Sequence, residues 1–147
     1  MSNSKYDVLK LENQLCFPLY AASKEIVKNY RPFLEEINLT YTQYIAMMVF
    51  WQEGSISVKE LGKKLFLDSG TLTPVLKSLE AKGYIKRSRS TVDERVLIAE
   101  LTQEGEALKE KAVYVPMQIG KCVNLSPDEA GTLYKLLYKI LDDIKDD

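Results

Sequence analysis

The chain contains two cysteines, Cys16 near its beginning and Cys122 near its end, and it contains no histidine. A thiol attacks peroxides as the thiolate, so a reactive cysteine needs surroundings that favour its ionised form. Without histidine a Cys–His pair is excluded, and a helix N-terminus or hydroxyl hydrogen bonds remain as means of favouring the thiolate. Asn13 is a candidate N-cap, which predicts Cys16 at about the third helical position, where the helix dipole favours anions. Pro18 supports this prediction because proline is tolerated in a first turn.

The elements that would position these cysteines are predominantly helical. Apolar residues at helical spacing, with capping signals and breakers, predict helices at about 14–36, 42–52, 58–65 and 69–82. Alternating apolar and polar residues then predict a two-stranded hairpin of strands 84–89 and 96–101. A fifth helix is expected after Thr102 with an interruption near Pro116, and a last helix is expected to begin after Ser126. The expected helix caps are Thr40 or Thr42, Ser57, Asp68, Thr102 and Ser126.

Two short helices followed by a hairpin, with long helices at both ends, are typical of a winged helix-turn-helix protein. We therefore expect a mainly α fold with a small β-hairpin wing, in which residues 54–101 form the DNA-binding region. The net charge of −1 argues against nucleic acid, but the charge is unevenly distributed. Residues 59–95 contain nine lysines and arginines against five acids, a local charge of +4, whereas the remainder carries −5. This polarity suits a central segment that contacts phosphate.

The predicted recognition helix begins with small and hydroxylated residues. Its first turns carry Ser69, Gly70, Thr71 and Thr73, and Lys77 follows. Free backbone N–H groups and hydroxyls at a helix N-terminus can contact phosphates and base edges in the major groove, and Lys77 would reach the backbone.

The predicted wing carries Lys86, Arg87 and Arg89 on its first strand, with Asp93 and Arg95 at its tip. A carboxylate beside Arg95 would pre-orient the guanidinium for an electronegative minor groove. The competing interpretation of this segment is a solvated charged turn.

The sequence resembles a known family through two groups of residues. The run LDSGTLTPVLK at 67–77, followed by Asp93-Glu94-Arg95 and Leu101-Thr102, resembles the MarR family of winged-helix repressors. The run QLCF at 14–17, with Tyr20, Tyr30 and Tyr41, resembles the organic hydroperoxide resistance regulators (OhrR type) and their staphylococcal redox-sensing relatives.

This resemblance implies a homodimer joined by the terminal helices, residues 1–53 and 102–147, that binds double-stranded operator DNA and releases it when Cys16 is oxidised by an organic hydroperoxide. It also implies that the hydroxyls of Tyr30 and Tyr41 stabilise the thiolate and that Tyr20 belongs to the same redox site. Cys122 either resolves the oxidised Cys16 across the dimer or simply packs against the last helix, in which case a small thiol would form a mixed disulfide with Cys16. We expect no cofactor and no metal, and we expect a regulator rather than an enzyme. A polar N-terminus and the lack of an apolar run of about 18 residues predict a cytoplasmic protein with no membrane association.

Three other functions remain open at this stage. A thiol peroxidase would need Thr and Arg near the thiol, and the surrounding ENQLCFPLY contains neither. A winged helix that binds proteins instead of DNA is a second alternative. The third is a MarR-type repressor that responds to a small aromatic ligand. Its pocket would be lined by aromatic residues from several segments: Tyr6, Phe17, Tyr20, Tyr30, Tyr41 and Trp51.

Overall fold

A computed structural model describes residues 4–145 of the chain. Two short 3₁₀ helices, Lys5–Leu9 and Leu11–Asn13, come first. They are followed by α1 (Cys16–Glu35), α2 (Tyr41–Glu53), β1 (Ser55–Ser57), α3 (Val58–Leu65), α4 (Ser69–Ala81), β2 (Ile85–Arg89), β3 (Leu97–Leu101), α5 (Gln103–Ala112), α6 (Val115–Ile119) and α7 (Pro127–Lys145). The mainly α fold with a small β wing is confirmed.

The sheet has three antiparallel strands in the order β1-β3-β2, so the prediction of a two-stranded hairpin was incomplete. Strand β3 lies in the centre, where Ala99 faces Ile56 on one side and Arg87 on the other. The additional strand is three residues long. A segment this short shows no readable alternation, and its strand character comes from pairing with a distant part of the chain.

Side-chain caps fix where the helices begin. Thr40 caps α2 in a reciprocal capping box with Gln43, and Ser126 caps α7 in another with Glu129. At α3 only half of the predicted capping box forms. Ser57 accepts the N–H of Glu60 at 3.1 Å, while the Glu60 carboxylate pairs with Lys63.

The hydrophobic core lies beneath the sheet and between α2, α3 and α4. The fully buried side chains of this region come from all four of these elements: Met47, Phe50, Leu61, Leu72, Leu79 and Ile85. Helix α2 is apolar on every side because it lies between the terminal helices and the winged-helix region.

The terminal segments, in contrast, expose large apolar side chains along their length. On the N-terminal side these are Leu9, Leu11, Leu15, Phe17, Leu19 and Tyr20, and on the C-terminal side Tyr114, Met117, Leu133, Tyr134, Leu136 and Ile144. Monomeric proteins rarely expose contiguous apolar patches of this extent. No helix within residues 4–145 is long and apolar enough to cross a membrane.

The start of α1 differs from the sequence-based prediction. Helix α1 begins at Cys16 after Leu15, so Cys16 is the first helical residue and not the third. Asn13 does not cap this helix, because its side-chain amide donates to the carbonyl oxygen of Asp7 at 2.8 Å. Gln14 is extended and bonds the carbonyls of the preceding 3₁₀ turns. The polar side chains of the segment before α1 therefore form hydrogen bonds within that segment and do not cap α1. Pro18 falls in the first turn of α1, as predicted.

Candidate DNA-binding surface and redox site

Helix α4 separates its buried residues from its polar residues as the sequence predicts. Leu72, Val75, Leu76 and Leu79 are buried, whereas the predicted DNA-contacting residues Ser69, Gly70, Thr71, Thr73 and Lys77 are all exposed. Ser69, Gly70, Thr71 and Thr73 lie in the first two turns of the helix, and Lys77 lies one turn further along. A groove-reading helix presents this part of its surface to base edges.

The first turn of α4 offers fewer free N–H groups than the sequence suggested. Asp68 is the N-cap, and its carboxylate accepts the N–H of Thr71 at 2.8 Å. This hydrogen bond holds the pKa of Asp68 below its usual value. The hydroxyl of Thr73 donates to the carbonyl oxygen of Ser69 at 2.7 Å, which leaves its oxygen free to accept. The hydroxyls are therefore the main groups that this turn presents.

The tip of the wing holds Arg95 in a defined geometry. Its Nε and Nη2 donate to the two carboxylate oxygens of Asp93 at 3.1 and 3.2 Å, and its backbone N–H donates to the same carboxylate. Asp93 is itself positioned by Ser90, whose Oγ accepts the N–H groups of Val92 and Asp93. The Arg95 side chain is 91% exposed, so the guanidinium is oriented and yet accessible. The same contacts lower the pKa of Asp93.

Arg87 serves a different role from the rest of the wing in this structure. Its Nη2 and its backbone N–H both donate at 3.0 Å to the carboxylate of Glu80 on α4. This bridge lowers the pKa of Glu80 and joins the recognition helix to the wing. Arg87 is mostly covered, whereas Arg89 on the same strand is exposed. Of the two predicted contacts, Arg89 is the one that the fold leaves available to DNA.

Cys16 is an exposed free thiol at the first residue of α1, where the backbone N–H groups of the first turn have no helical partner. Tyr20 lies one turn further along the same face, also exposed, with its ring 5.1 Å from the Nζ of Lys24. A thiol at this position is accessible to a peroxide.

Tyr30 and Tyr41 pack against each other and against a third tyrosine, Tyr44, which the sequence reading did not single out. The ring centroids are 4.9 Å apart for Tyr30–Tyr41, 5.8 Å for Tyr30–Tyr44 and 6.3 Å for Tyr41–Tyr44. Burial raises the pKa of all three phenols, and that of Tyr44 reaches about 12. We call Tyr30, Tyr41 and Tyr44 the tyrosine cluster. It is neutral, and it joins α1 to the first turn of α2.

Within one chain the tyrosine cluster is far from Cys16. Tyr30 follows Cys16 by 14 residues on the same helix, which separates them by about 21 Å along its axis at 1.5 Å per residue. The expected contact between these hydroxyls and the sulfur is therefore not made inside a single chain.

Cys122 lies in the turn after α6 and is also an exposed free thiol. Its Sγ lies 3.8 Å from the carbonyl oxygen of Gln118, a local contact that leaves it accessible. It does not pack into a core in the described chain.

The aromatic residues considered for a ligand pocket are not gathered together. Tyr6, Phe17 and Tyr20 are exposed near the N-terminus, whereas Tyr30 and Tyr41 belong to the tyrosine cluster. Trp51 packs elsewhere and donates its indole N–H to the carbonyl oxygen of Gly105 at 2.8 Å. The surface cavity at the start of α1 is lined by Phe17 alone of this set, and the one between α1 and α2 by Tyr41 alone.

Sequence reasoning missed Glu80, Ser90 and Gln43, which organise the site without facing DNA. The role of Ser90 was predictable from the sequence, because serine in a polar turn commonly accepts hydrogen bonds from backbone N–H groups two or three residues further on. Glu80 and Gln43 gave no local signal, since their partners are brought to them by the fold.

Known proteins resemble this chain along nearly its whole length. A family model described as Transcriptional regulator SarA/Rot matches residues 28–112. An organic hydroperoxide resistance transcriptional regulator of Bacillus subtilis (strain 168) is 47% identical over 139 residues, which span 95% of each chain.

Solved structures of AbfR, a protein of Staphylococcus epidermidis, have been determined in several states. Reduced AbfR bound to DNA is 34% identical with a TM-score of 0.78, and overoxidized AbfR bound to DNA is 35% identical with a TM-score of 0.76. Both alignments cover 96% of this chain and 99% of AbfR. Disulfide-formed AbfR is 34% identical, covers both chains fully and has a lower TM-score of 0.62.

A more distant match is BpsR of Bordetella bronchiseptica, whose structure concerns regulation of its DNA binding by 6-hydroxynicotinic acid. It is 25% identical with a TM-score of 0.83 and covers 90% of this chain and 96% of BpsR. The near-complete alignment with the Bacillus regulator, the family model and the winged-helix geometry together lead to one assignment. The chain belongs to the MarR/OhrR-type family of winged-helix transcriptional regulators.

Proposed function

We propose that this protein is a dimeric repressor that releases operator DNA when Cys16 is oxidised by an organic hydroperoxide. The observation that carries the proposal is an exposed free thiol at the start of α1, in a chain whose winged-helix surface carries a separate set of exposed DNA-contacting groups. The oxidisable thiol and the proposed DNA-binding residues thus lie on different elements. Because operator DNA is in the cytoplasm, we place the protein there. We propose that each Cys16 is oxidised once per response, and that the protein is not an enzyme that turns over hydroperoxide.

The chemistry begins with the Cys16 thiolate. Its sulfur attacks the terminal peroxide oxygen, an S–O bond forms as the O–O bond breaks, and the alkoxide takes a proton to leave as an alcohol. The sulfur is oxidised by two electrons to the sulfenic acid while the hydroperoxide is reduced. The thiolate of Cys122 on a second subunit then attacks that sulfur. An S–S bond forms, and hydroxide leaves and is protonated to water.

A homodimer accounts for two features of the single chain. The exposed apolar side chains of the terminal segments need a partner, and a second copy of the same surfaces supplies one. The tyrosine cluster lies too far from the Cys16 of its own chain, so the phenols of this cluster can reach a Cys16 sulfur only across the dimer. There, hydrogen bonds from neutral phenols to the thiolate would favour the ionised form.

The route from the sulfur to DNA passes through the spacing of the two recognition helices. Half-sites on DNA are about 34 Å apart, one helical turn, so both copies of α4 must hold this separation to bind together. Disulfide formation across the dimer would change the relative position of the terminal helices, and the gain from binding through two linked sites would be lost.

The AbfR structures support a disulfide as the releasing species. Reduced and overoxidized AbfR are both bound to DNA, and both resemble this chain more closely than disulfide-formed AbfR does. An exposed Cys122 in the turn after α6 provides the second thiol.

A mobility-shift titration tests this function. The DNA is a duplex selected from a random library by the reduced wild-type protein, and the oxidant is cumene hydroperoxide. We expect oxidation to weaken binding by about tenfold or more, dithiothreitol to restore it, and Cys16→Ser to bind with or without oxidant. Release that persists in Cys16→Ser would exclude this thiol as the sensor.

Cys122→Ser provides the matched control for the disulfide. Wild-type protein treated with cumene hydroperoxide should run as a covalent dimer on a non-reducing gel, and Cys122→Ser should run only as a monomer. A covalent dimer in Cys122→Ser would show that another pair of thiols forms the link.

BpsR gives reason to test a second candidate function, release by a small aromatic ligand. The dispersed positions of the aromatic residues argue against it, because Phe17 and Tyr41 line separate cavities and Trp51 packs beside Gly105. Release of DNA by 6-hydroxynicotinic acid under reducing conditions would favour this second function.

A further inference from the structure

Gln43 is the one buried polar side chain within the described part of the chain, with 7% of its surface exposed. Three of the four hydrogen-bonding positions of its amide are used. Oε1 accepts the backbone N–H of Thr40 at 3.1 Å and the Nζ of Lys82 at 2.9 Å, while Nε2 donates to the Oγ of Ser78 at 2.9 Å. These three hydrogen bonds restrict the side chain to one geometry, because a movement would leave a buried donor or acceptor unpaired.

Lys82 completes this network from the end of the recognition helix. Its Nζ also donates to the carbonyl oxygen of Asn38 at 2.6 Å, in the turn after α1, where Asn38 has a φ of +57°. Burial lowers the pKa of Lys82. Ser78 and Lys82 are one helical turn apart and therefore share the face of α4 that is turned toward α2. The network thus joins three segments: the end of α1, the first turn of α2 and the C-terminal half of α4.

Gln43 lies between two members of the tyrosine cluster. Tyr41 precedes it by two residues and Tyr44 follows it directly, all in the first turn of α2, and Tyr30 packs on both tyrosines from α1. A shift of the first turn of α2 that accompanies a rearrangement of these rings would move the Gln43 side chain as well, because the capping box ties this side chain to Thr40.

The network lies at the C-terminal end of α4, so a small rotation there would produce a larger displacement at the N-terminal end of the helix, which carries the predicted DNA-contacting residues. Ser69 precedes Lys82 by 13 residues, which is about 20 Å at 1.5 Å per residue. A rotation of about 5° at Lys82 would displace the start of the helix by about 1.7 Å. This displacement is large compared with the tolerance of a hydrogen bond to a base edge.

We propose that the Gln43–Lys82–Ser78 network couples the tyrosine cluster to the recognition helix, and that Gln43 and Lys82 are positioning residues for the oxidative response. The proposal rests on the function proposed above. The tyrosines respond to the oxidation state of the sulfur, α2 moves with them, and Gln43 transmits the movement to Ser78 and Lys82.

The test measures how much oxidation of Cys16 changes the affinity for operator DNA, and not the affinity of one state alone. Lys82→Met keeps the aliphatic stem and removes the ammonium, and its operator Kd is measured on the full-length dimer before and after cumene hydroperoxide. The readout is the ratio of the oxidised to the reduced Kd. We expect this ratio to fall about tenfold or more below the wild-type ratio, with Cys16 oxidised at the wild-type rate. A merely structural role would weaken binding in both states and leave the ratio within tenfold of wild type, and that result overturns the proposal.

Three further variants complete the experiment. Ser78→Ala removes one hydrogen bond and is used if Lys82→Met does not fold; a ratio unchanged from wild type would count against the network. Gln43→Glu keeps the acceptors for Thr40 and Lys82, and the Ser78 hydroxyl can donate to its second carboxylate oxygen in place of the lost amide donor. This variant should therefore retain the wild-type ratio. Glu80→Gln weakens the bridge from the same helix to the wing, leaves the network intact and should keep the ratio.

Failure of the inference can be told apart from failure of the proposed function. A wild-type protein that does not respond to hydroperoxide contradicts the function itself. A wild-type protein that responds, with a Lys82→Met variant that responds equally, contradicts only the role of the network.

Discussion

We predict that Arg95 contacts DNA, and the salt bridge at the tip of the wing separates two explanations of how it would do so. If only the charge matters, removing the Asp93 carboxylate beside it should strengthen binding, since one negative charge is lost near phosphate. If the geometry matters, Asp93→Asn should weaken binding, because the two-point contact that orients the guanidinium is lost. We expect Asp93→Asn to weaken binding, by less than Arg95→Ala does.

The magnitude for Arg95→Ala follows from the two wings of a dimer. Removing one arginine contact to DNA costs on the order of 1–3 kcal/mol, so a dimer should lose about 2–6 kcal/mol. Each wing also loses one cation, which should reduce the slope of log K against log salt by about 1.8. The side chain is almost fully exposed, so its removal should leave the free energy of unfolding nearly unchanged.

Fluorescence anisotropy of a labelled operator duplex, titrated with reduced protein at several salt concentrations, measures both quantities. Lys109→Ala is the matched control: Lys109 is an exposed cation paired with a nearby acid, Glu106, outside the winged-helix region. It should change neither affinity nor slope by a comparable amount. Unchanged affinity in Arg95→Ala, or tighter binding in Asp93→Asn, would refute the reasoning about the wing.

Two predictions concern the stability of the fold. Burial raises the pKa of Tyr44 from 10.0 to about 12, so between these values the folded chain retains a proton that the unfolded chain has lost. Urea unfolding should therefore show a free energy of unfolding that is unchanged below about pH 10 and falls by about 2–3 kcal/mol toward pH 12. Tyr44→Phe should show a smaller fall. An equal fall in both proteins would mean that other ionisable groups cause it. Gly105→Ala should destabilise the fold by several kcal/mol, roughly the upper range for single substitutions, because the added Cβ would collide with the carbonyl oxygen of Tyr84 and the side chain of Leu101. Gly131→Ala, where a Cβ meets nothing, is its control in the same unfolding experiment, and a cost no greater than that of Gly131→Ala would contradict the clash.

Local signals in the sequence determined much of this architecture. Thr40, Asp68, Thr102 and Ser126 cap helices where the sequence predicts, since a capping hydrogen bond joins residues only two or three positions apart. The change from helical to alternating periodicity located the wing. The pairing of Asp93 with Arg95 was readable for the same reason, because both residues lie in one short turn.

Only the tertiary structure decided which distant residues act together. The third strand pairs Ile56 with Ala99, and Arg87 is held by Glu80 and so leaves Arg89 as the exposed arginine of that strand. These partners come from different elements, and their contacts depend on how the helices pack and not on local spacing. The same applies to Cys16: the sequence identified the sulfur, while the length of α1 separates it from the tyrosines of its own chain. Periodicity and capping are encoded over a few residues, whereas buried networks and the meeting of a thiol with a phenol are set by the packing of whole elements.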